Sequence, residues 1–164
     1  MERPAAKVFC RKADERPREV RMTVSNSKVL LVEDSKFLRM ATERALSNAG
    51  YLVSTAADGE EALQLANDRL PDIILLDMML PKISGPNVLK ALKENPATMG
   101  IPVIVLTSLS QKNEEKLLSE GAAAYFEKSA LALDQNSTRL ADTVETVLAA
   151  AMERRASSPG QTGV

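Results

Sequence analysis

Between residues 28 and 151 the chain alternates short apolar runs with longer stretches of helical period. The apolar runs fall at 28–33, 51–56, 72–77, 102–107 and 123–127. The continuous ones are of the kind expected for strands covered on both faces. Over about 36–48, Phe37, Ala41, Ala45 and Ala49 recur four apart and are expected to share the apolar face of a helix, with Gly50 as its stop. Asp58 is expected to cap a second helix, with Glu61 as the capping-box acid and Ala62, Leu63 and Ala66 facing inward. Pro81 and the pair Gly85-Pro86 mark a loop, and Pro86 suits the first turn of a helix carrying Val88, Leu89 and Leu92. The fourth helix, about 111–120, ends at Gly121 and offers only Leu117 and Leu118 as a weak stripe. The last helix has the clearest period: Leu140, Val144, Val147, Leu148 and Ala151. Strands alternating with helices imply βαβ crossovers, and so an α/β fold with a parallel sheet.

Composition narrows the class. A chain of 164 residues, 45% hydrophobic, suits one domain with tails and can build a sizeable core. The ends differ from the middle. Residues 1–26 are charged and hold no sustained apolar period, so they are expected to be a disordered basic extension, with Met22 as a second candidate start. The domain is expected over 27–153, with 154–164 as a loose tail too short to fold into a further domain. Net charge is −1, yet residues 1–21 carry seven Lys/Arg against four acids. That excess is expected to be a solvated tail, with nucleic-acid binding unlikely and any such contact weak and salt-sensitive. The single Cys10 cannot form an internal disulfide, and no apolar run approaches the ~20 residues of a membrane span. The expected location is cytoplasmic. The chain has no histidine, which excludes a histidine base. It has no Trp, two Tyr and three Phe, too few for a base-stacking platform.

Four of the strands end on residues with phosphoryl chemistry. The first leads into Glu33-Asp34, the third ends in Asp77, the fourth in Thr107-Ser108, and the fifth leads to Lys128. In an open parallel sheet, ligands bind beyond the carboxyl ends of the strands, so these groups converge on one pocket. Asp77 is ionised at neutral pH and needs no partner base to act as a nucleophile. What it needs is charge neutralisation: carboxylates ~5 Å apart repel by about 3 kcal/mol per pair at an effective dielectric of ~20. Oxygen-only donors select a hard cation, and Mg2+ suits one or two carboxylates plus a phosphate. Phosphoryl transfer then depends on spreading charge over three equatorial oxygens. The metal, the Lys128 ammonium, and Thr107 with the backbone N–H groups after Asp77 supply a partner for each.

These words resemble the receiver domains of two-component response regulators, single-domain chemotaxis-type regulators among them. The matches are Leu-Val-Glu-Asp-Ser (31–35), Asp-Ile-Ile-Leu-Leu-Asp-Met-Met-Leu-Pro (72–81), Gly85, Val-Leu-Thr-Ser (105–108) and Tyr-Phe-Glu-Lys (125–128). The resemblance covers about residues 27–153. It implies a flavodoxin-like, doubly wound five-stranded sheet of order 2-1-3-4-5 flanked by five helices. It implies that Asp77 is the phospho-acceptor, and that Mg2+ is held by Asp34, Asp77 and the Met79 backbone carbonyl, with Glu33 through water. Lys128 would pair with the phosphoryl group, Thr107 would swing to it, and Tyr125 would change rotamer in response. The implied donor is a histidine kinase or histidine phosphotransfer protein. The implied exit is a downstream protein target, met on the face made by the fourth helix, fifth strand and last helix; a phosphorylation-dependent dimer stays open. No enzyme activity is expected beyond the chain's own phosphorylation and slow dephosphorylation.

Three positions bear on that resemblance. Receivers usually have proline after the lysine, where this chain has Ser129, and the Lys128-Ser129 bond is accordingly expected to be trans, or else a strained cis bond, with the loop before the last helix shifted. Met79 and Leu109, two residues after Asp77 and Thr107, are apolar and cannot orient a hydrolytic water, so self-dephosphorylation is expected to be slow. Two other readings compete. An aspartyl-phosphate phosphatase usually carries a second Asp two residues after its nucleophile, where this chain has Met79. A receiver-like module that binds without phosphorylation has no need of the intact acidic set.

Overall fold

The computed structural model describes residues 26–108, 114–128 and 137–156. Strands β1 (Lys28–Val32), β2 (Leu52–Ala56), β3 (Ile73–Asp77), β4 (Val103–Thr107) and β5 (Ala124–Glu127) alternate with five helices. These are α1 (Lys36–Asn48), α2 (Gly59–Arg69), α3 (Gly85–Glu94), α4 (Glu114–Ser119) and α5 (Ser137–Ala156). All strand pairs are parallel, in the order β2-β1-β3-β4-β5. The direction of winding reverses between β1 and β3, which opens a crevice at their carboxyl ends.

Every residue of β3 and β4 is buried, as the unbroken apolar runs require. Alternate residues feed two separate cores. Leu30, Val32, Ile74, Leu76, Val103 and Val105 pack under Ala62 and Ala66 of α2 and Val88, Leu89 and Leu92 of α3. Val29, Leu31, Ile73, Leu75, Ile104 and Leu106 pack under Leu46 of α1 and Leu140, Val144 and Leu148 of α5. The sheet is thus the middle of three layers.

Local signals set the helix ends. Ser35 Oγ accepts the Leu38 N–H, and Asp58 Oδ1 accepts the Glu61 N–H at 2.8 Å. The Glu61 carboxylate reaches back to the Ala57 N–H at 2.9 Å, one residue before the cap, in a displaced capping box. After α1, the Tyr51 N–H bonds to Leu46 O and the Gly50 N–H to Ser47 O, a Schellman motif. Gly50 sits at φ 103°, which is open to glycine without strain.

Two expectations are corrected. The inward face of α1 is not Phe37, Ala41, Ala45 and Ala49: Phe37 is 77% exposed, and Thr42 and Leu46 are the buried residues. The true row, Leu38–Thr42–Leu46, is also spaced by four, but its central threonine hides it among polar residues, while alanines bury too little area to orient a helix. On α4 only Leu117 packs inward, with Leu118 42% exposed. Helix α5 runs to Ala156. Leu109, Ser129 and residues 1–25 lie outside the described residues. Among the described residues no helix is long and apolar enough to cross a membrane.

Candidate functional site

Parallel pairing delivers the acidic residues to one edge. Val32 of β1 stands opposite Leu76 of β3, so the next residues, Glu33 and Asp77, emerge side by side. Both are buried, at 1% and 0% exposure, whereas Asp34 faces solvent. Carboxylate oxygens of Glu33, Asp34 and Asp77 lie within 4.8 Å of one another. At that spacing each pair repels by about 3 kcal/mol at an effective dielectric of ~20, less where Asp34 meets water.

Among the described residues one cation answers two of the three acids. Lys128, delivered just past β5, sets its Nζ 3.0 Å from Asp77 Oδ2 and 3.0 Å from Glu33 Oε2, and donates to Glu33 Oε1 at 3.3 Å. Burial alone would lower the lysine's pKa, but its bonds to Glu33 and Asp77 and their charges outweigh burial and raise it. It stays an ammonium. Burial raises the Glu33 pKa and the Asp77 charge adds to this, against the Ser35 N–H and Lys128.

The backbone around these groups is held closely. The Ser35 N–H donates to Glu33 Oε1 at 3.0 Å, and the Arg39 guanidinium donates to the carbonyls of Glu33 at 2.8 Å and Asp34 at 3.4 Å. Beyond β3, the Met79 N–H donates to Asp77 Oδ1 at 3.1 Å and fixes the carboxylate's orientation. The Gly85 N–H donates to Met78 O, and a Cβ at Gly85 would lie 2.4 Å from both Asp77 O and Met78 Cα. Helix α3 therefore starts directly against the backbone of Asp77, a close approach that only glycine permits. The Met79 side chain is 66% exposed.

Thr107, buried at the end of β4, follows Leu106, the register partner of Asp77. Tyr125 stands opposite Val105 on β5 and packs, half-buried, against the α2–α3 side of the core. Val105 and Thr107 are two apart on β4, so Thr107 and Tyr125 share one sheet face. Glu33, Asp34, Asp77 and Lys128 thus come together as their strand-end positions suggested, with Thr107 at the adjacent strand end. Arg39 was missed. It is one of several arginines on a polar surface, and no spacing rule marks it as a clamp on the β1–α1 loop.

The donor set suits a hard divalent cation. All three acidic side chains offer oxygen, and Glu33 Oε2 is buried without a hydrogen bond even though the Lys128 ammonium lies near it. That ammonium is shared with Asp77, so a second cation or that cation's water would complete the oxygen's surroundings. Magnesium fits this acidic group.

Comparisons with known proteins agree with the geometry. A profile of the response regulator receiver domain matches residues 29–140. The chain is 37% identical over 101 residues to the polar-differentiation response regulator DivK of Brucella anthropi, covering 61% of this chain and 82% of that protein. It is 41% identical over 85 residues to a probable transcriptional regulator, ycf27, of Guillardia theta, covering 52% of this chain but only 32% of that protein. Of the gliding motility regulatory protein of Myxococcus xanthus it spans 14%, at 43% identity over 65% of this chain. Among solved structures, chemotaxis response regulator CheY4 of Vibrio cholerae superposes with a TM-score of 0.67 at 32% identity, covering 74% of this chain and 98% of that one. The chain belongs to the response regulator receiver domain family of two-component signalling.

Proposed function

We propose that the chain is a phosphorylation-controlled switch whose phospho-acceptor is Asp77. The observation that carries this reading is a buried carboxylate at a strand end, 3.0 Å from a lysine ammonium and grouped with two further acids. In the proposed reaction an Asp77 oxygen forms a bond to phosphorus as the bond to the donor's imidazole nitrogen breaks. The electron pair leaves with the imidazole of a histidine kinase or histidine phosphotransfer protein. Magnesium held by Asp34, Asp77 and the Met79 carbonyl, with Glu33 through water, would supply charge neutralisation for the phosphoryl oxygens.

The chain's own residues do the rest. Met79 N–H holds Asp77 Oδ1 and so presents the carboxylate in one orientation. Lys128 exchanges part of its contact with Asp77 for the arriving phosphoryl group, and the Thr107 hydroxyl takes another phosphoryl oxygen. Movement of Thr107 frees space on the sheet face it shares with Tyr125, which repositions the α4-β5-α5 surface for a downstream protein. Incubation with acetyl phosphate and Mg2+ tests the proposal. Intact-mass analysis should show one added phosphoryl group on the wild type and none on Asp77→Asn. The adduct should last minutes or longer, because Met79 cannot orient a hydrolytic water. Rapid phosphate release without an adduct would instead indicate a phosphatase.

A further inference from the structure

At the opposite end of the sheet from Asp77 lies a cleft of about 720 Å3, between the carboxyl ends of α3 and α5 and the residues leading into β4 and β5. Its walls carry Lys93, Arg154 and Arg155, its apolar lining includes Met99 and Pro102, and no acidic residue lines it among the described residues. Lys93 is half-buried, and its Nζ donates to Ile101 O at 2.9 Å and Met99 O at 3.2 Å. An ammonium has three donors, so one remains for a ligand. Among the described residues Arg154 makes one long bond, from Nε to Ala150 O at 3.5 Å, and its terminal N–H groups meet no acceptor. Neither arginine has a carboxylate partner among the described residues.

We propose that this cleft binds a phosphorylated small molecule of nucleotide size. Three cations meeting without a counter-charge repel one another, and an anion between them reverses the sign of that interaction. Burial lowers the Lys93 pKa and the Arg154 charge lowers it further, so the repulsion reaches the lysine itself. Helix dipoles account for each arginine at the end of α5, but not for the convergence of that end on a half-buried lysine from α3. The volume falls within the ~300–1,000 Å3 of small-molecule sites, and apolar lining with convergent polar groups is their usual character. Guanidinium groups suit phosphate through bidentate hydrogen bonds and suit a planar base through stacking. An acidic peptide offers little apolar surface to cover Met99 and Pro102, whereas the base of a nucleotide does.

The test is an amide NMR titration of the full chain, without Mg2+ and at physiological salt, using ATP, AMP, adenosine, inorganic phosphate and an oligoglutamate peptide. ATP should give saturable shifts at Gly100, Gly121 and Ala122, about tenfold or more tighter than adenosine. Arg154→Ala and Arg155→Ala, both exposed and checked by thermal melts, should each weaken ATP by about tenfold while leaving the fold intact. Four results would overturn the proposal: no shift at these amides with millimolar ATP; adenosine or inorganic phosphate binding as well as ATP; affinity unchanged in both arginine variants; or the peptide displacing ATP. Asp77→Asn should bind ATP at this cleft like the wild type, which separates the result from the fate of the phosphorylation reading.

Discussion

Asp77 sits among groups whose charges pull in opposite directions, and that tension determines how single residues behave. The acids at 33, 34 and 77 repel one another while Lys128 answers only part of their charge. A divalent cation that binds the folded chain therefore stabilises it by mass action, about 1.4 kcal/mol at tenfold excess over its Kd, or roughly 4 °C in Tm for a domain this size. Melts with and without Mg2+ should show that gain in the wild type, and Asp34→Asn should lose most of it. The same arrangement sets a pH dependence. Because the folded-state pKa of Glu33 lies above its ordinary 4.5, the folded chain holds this proton at a pH where the unfolded chain has released it. Stability from this group therefore falls as pH rises above 4.5 through the raised folded value. In metal-free protein, Glu33→Gln should be more stable relative to wild type near neutrality than in mild acid. Denaturant melts of both proteins at the two pH values measure the difference, and a constant gap would contradict it.

Individual elements explain why those residues meet. The β1–α1 connection is held by the Ser35 N–H on the Glu33 carboxylate and the β3–α3 connection by the Gly85 N–H on Met78 O, and α3 starts on a glycine pressed against Asp77 and Met78. Gly85→Ala should cost about 1–3 kcal/mol by overpacking and should displace the turn that presents Asp77. Urea unfolding and the rate of phosphorylation by acetyl phosphate should both report it. Strand and helix order were legible because β3 and β4, buried on both faces, need unbroken apolar runs, and because Gly50 and Asp58 mark helix ends. The face of α1 was not legible, since its buried row passes through Thr42 while a decoy row begins with the exposed Phe37. The acidic pair and Lys128 stood out because strand ends in a parallel sheet converge. Arg39 did not, because its role depends on reaching two backbone carbonyls that no sequence pattern locates.

Across the whole molecule, the parallel sheet gives the two ends different characters. Its carboxyl edge gathers the acids at the point where the winding reverses, and the far edge holds the cationic cleft. The sheet between them is fully buried in β3 and β4, a stiff frame that positions Asp77 without itself being exposed. The proposed reaction forms an acyl phosphate on the Asp77 side chain. Borohydride reduction after acetyl phosphate treatment, followed by peptide mass mapping, tests it most directly, because reduction turns only an acyl-phosphorylated aspartate into homoserine. Homoserine at position 77, and at no other aspartate, is the predicted result. Phosphate mapped to a serine or threonine, or homoserine at Asp34 with Asp77 intact, would rule out Asp77 as the phospho-acceptor.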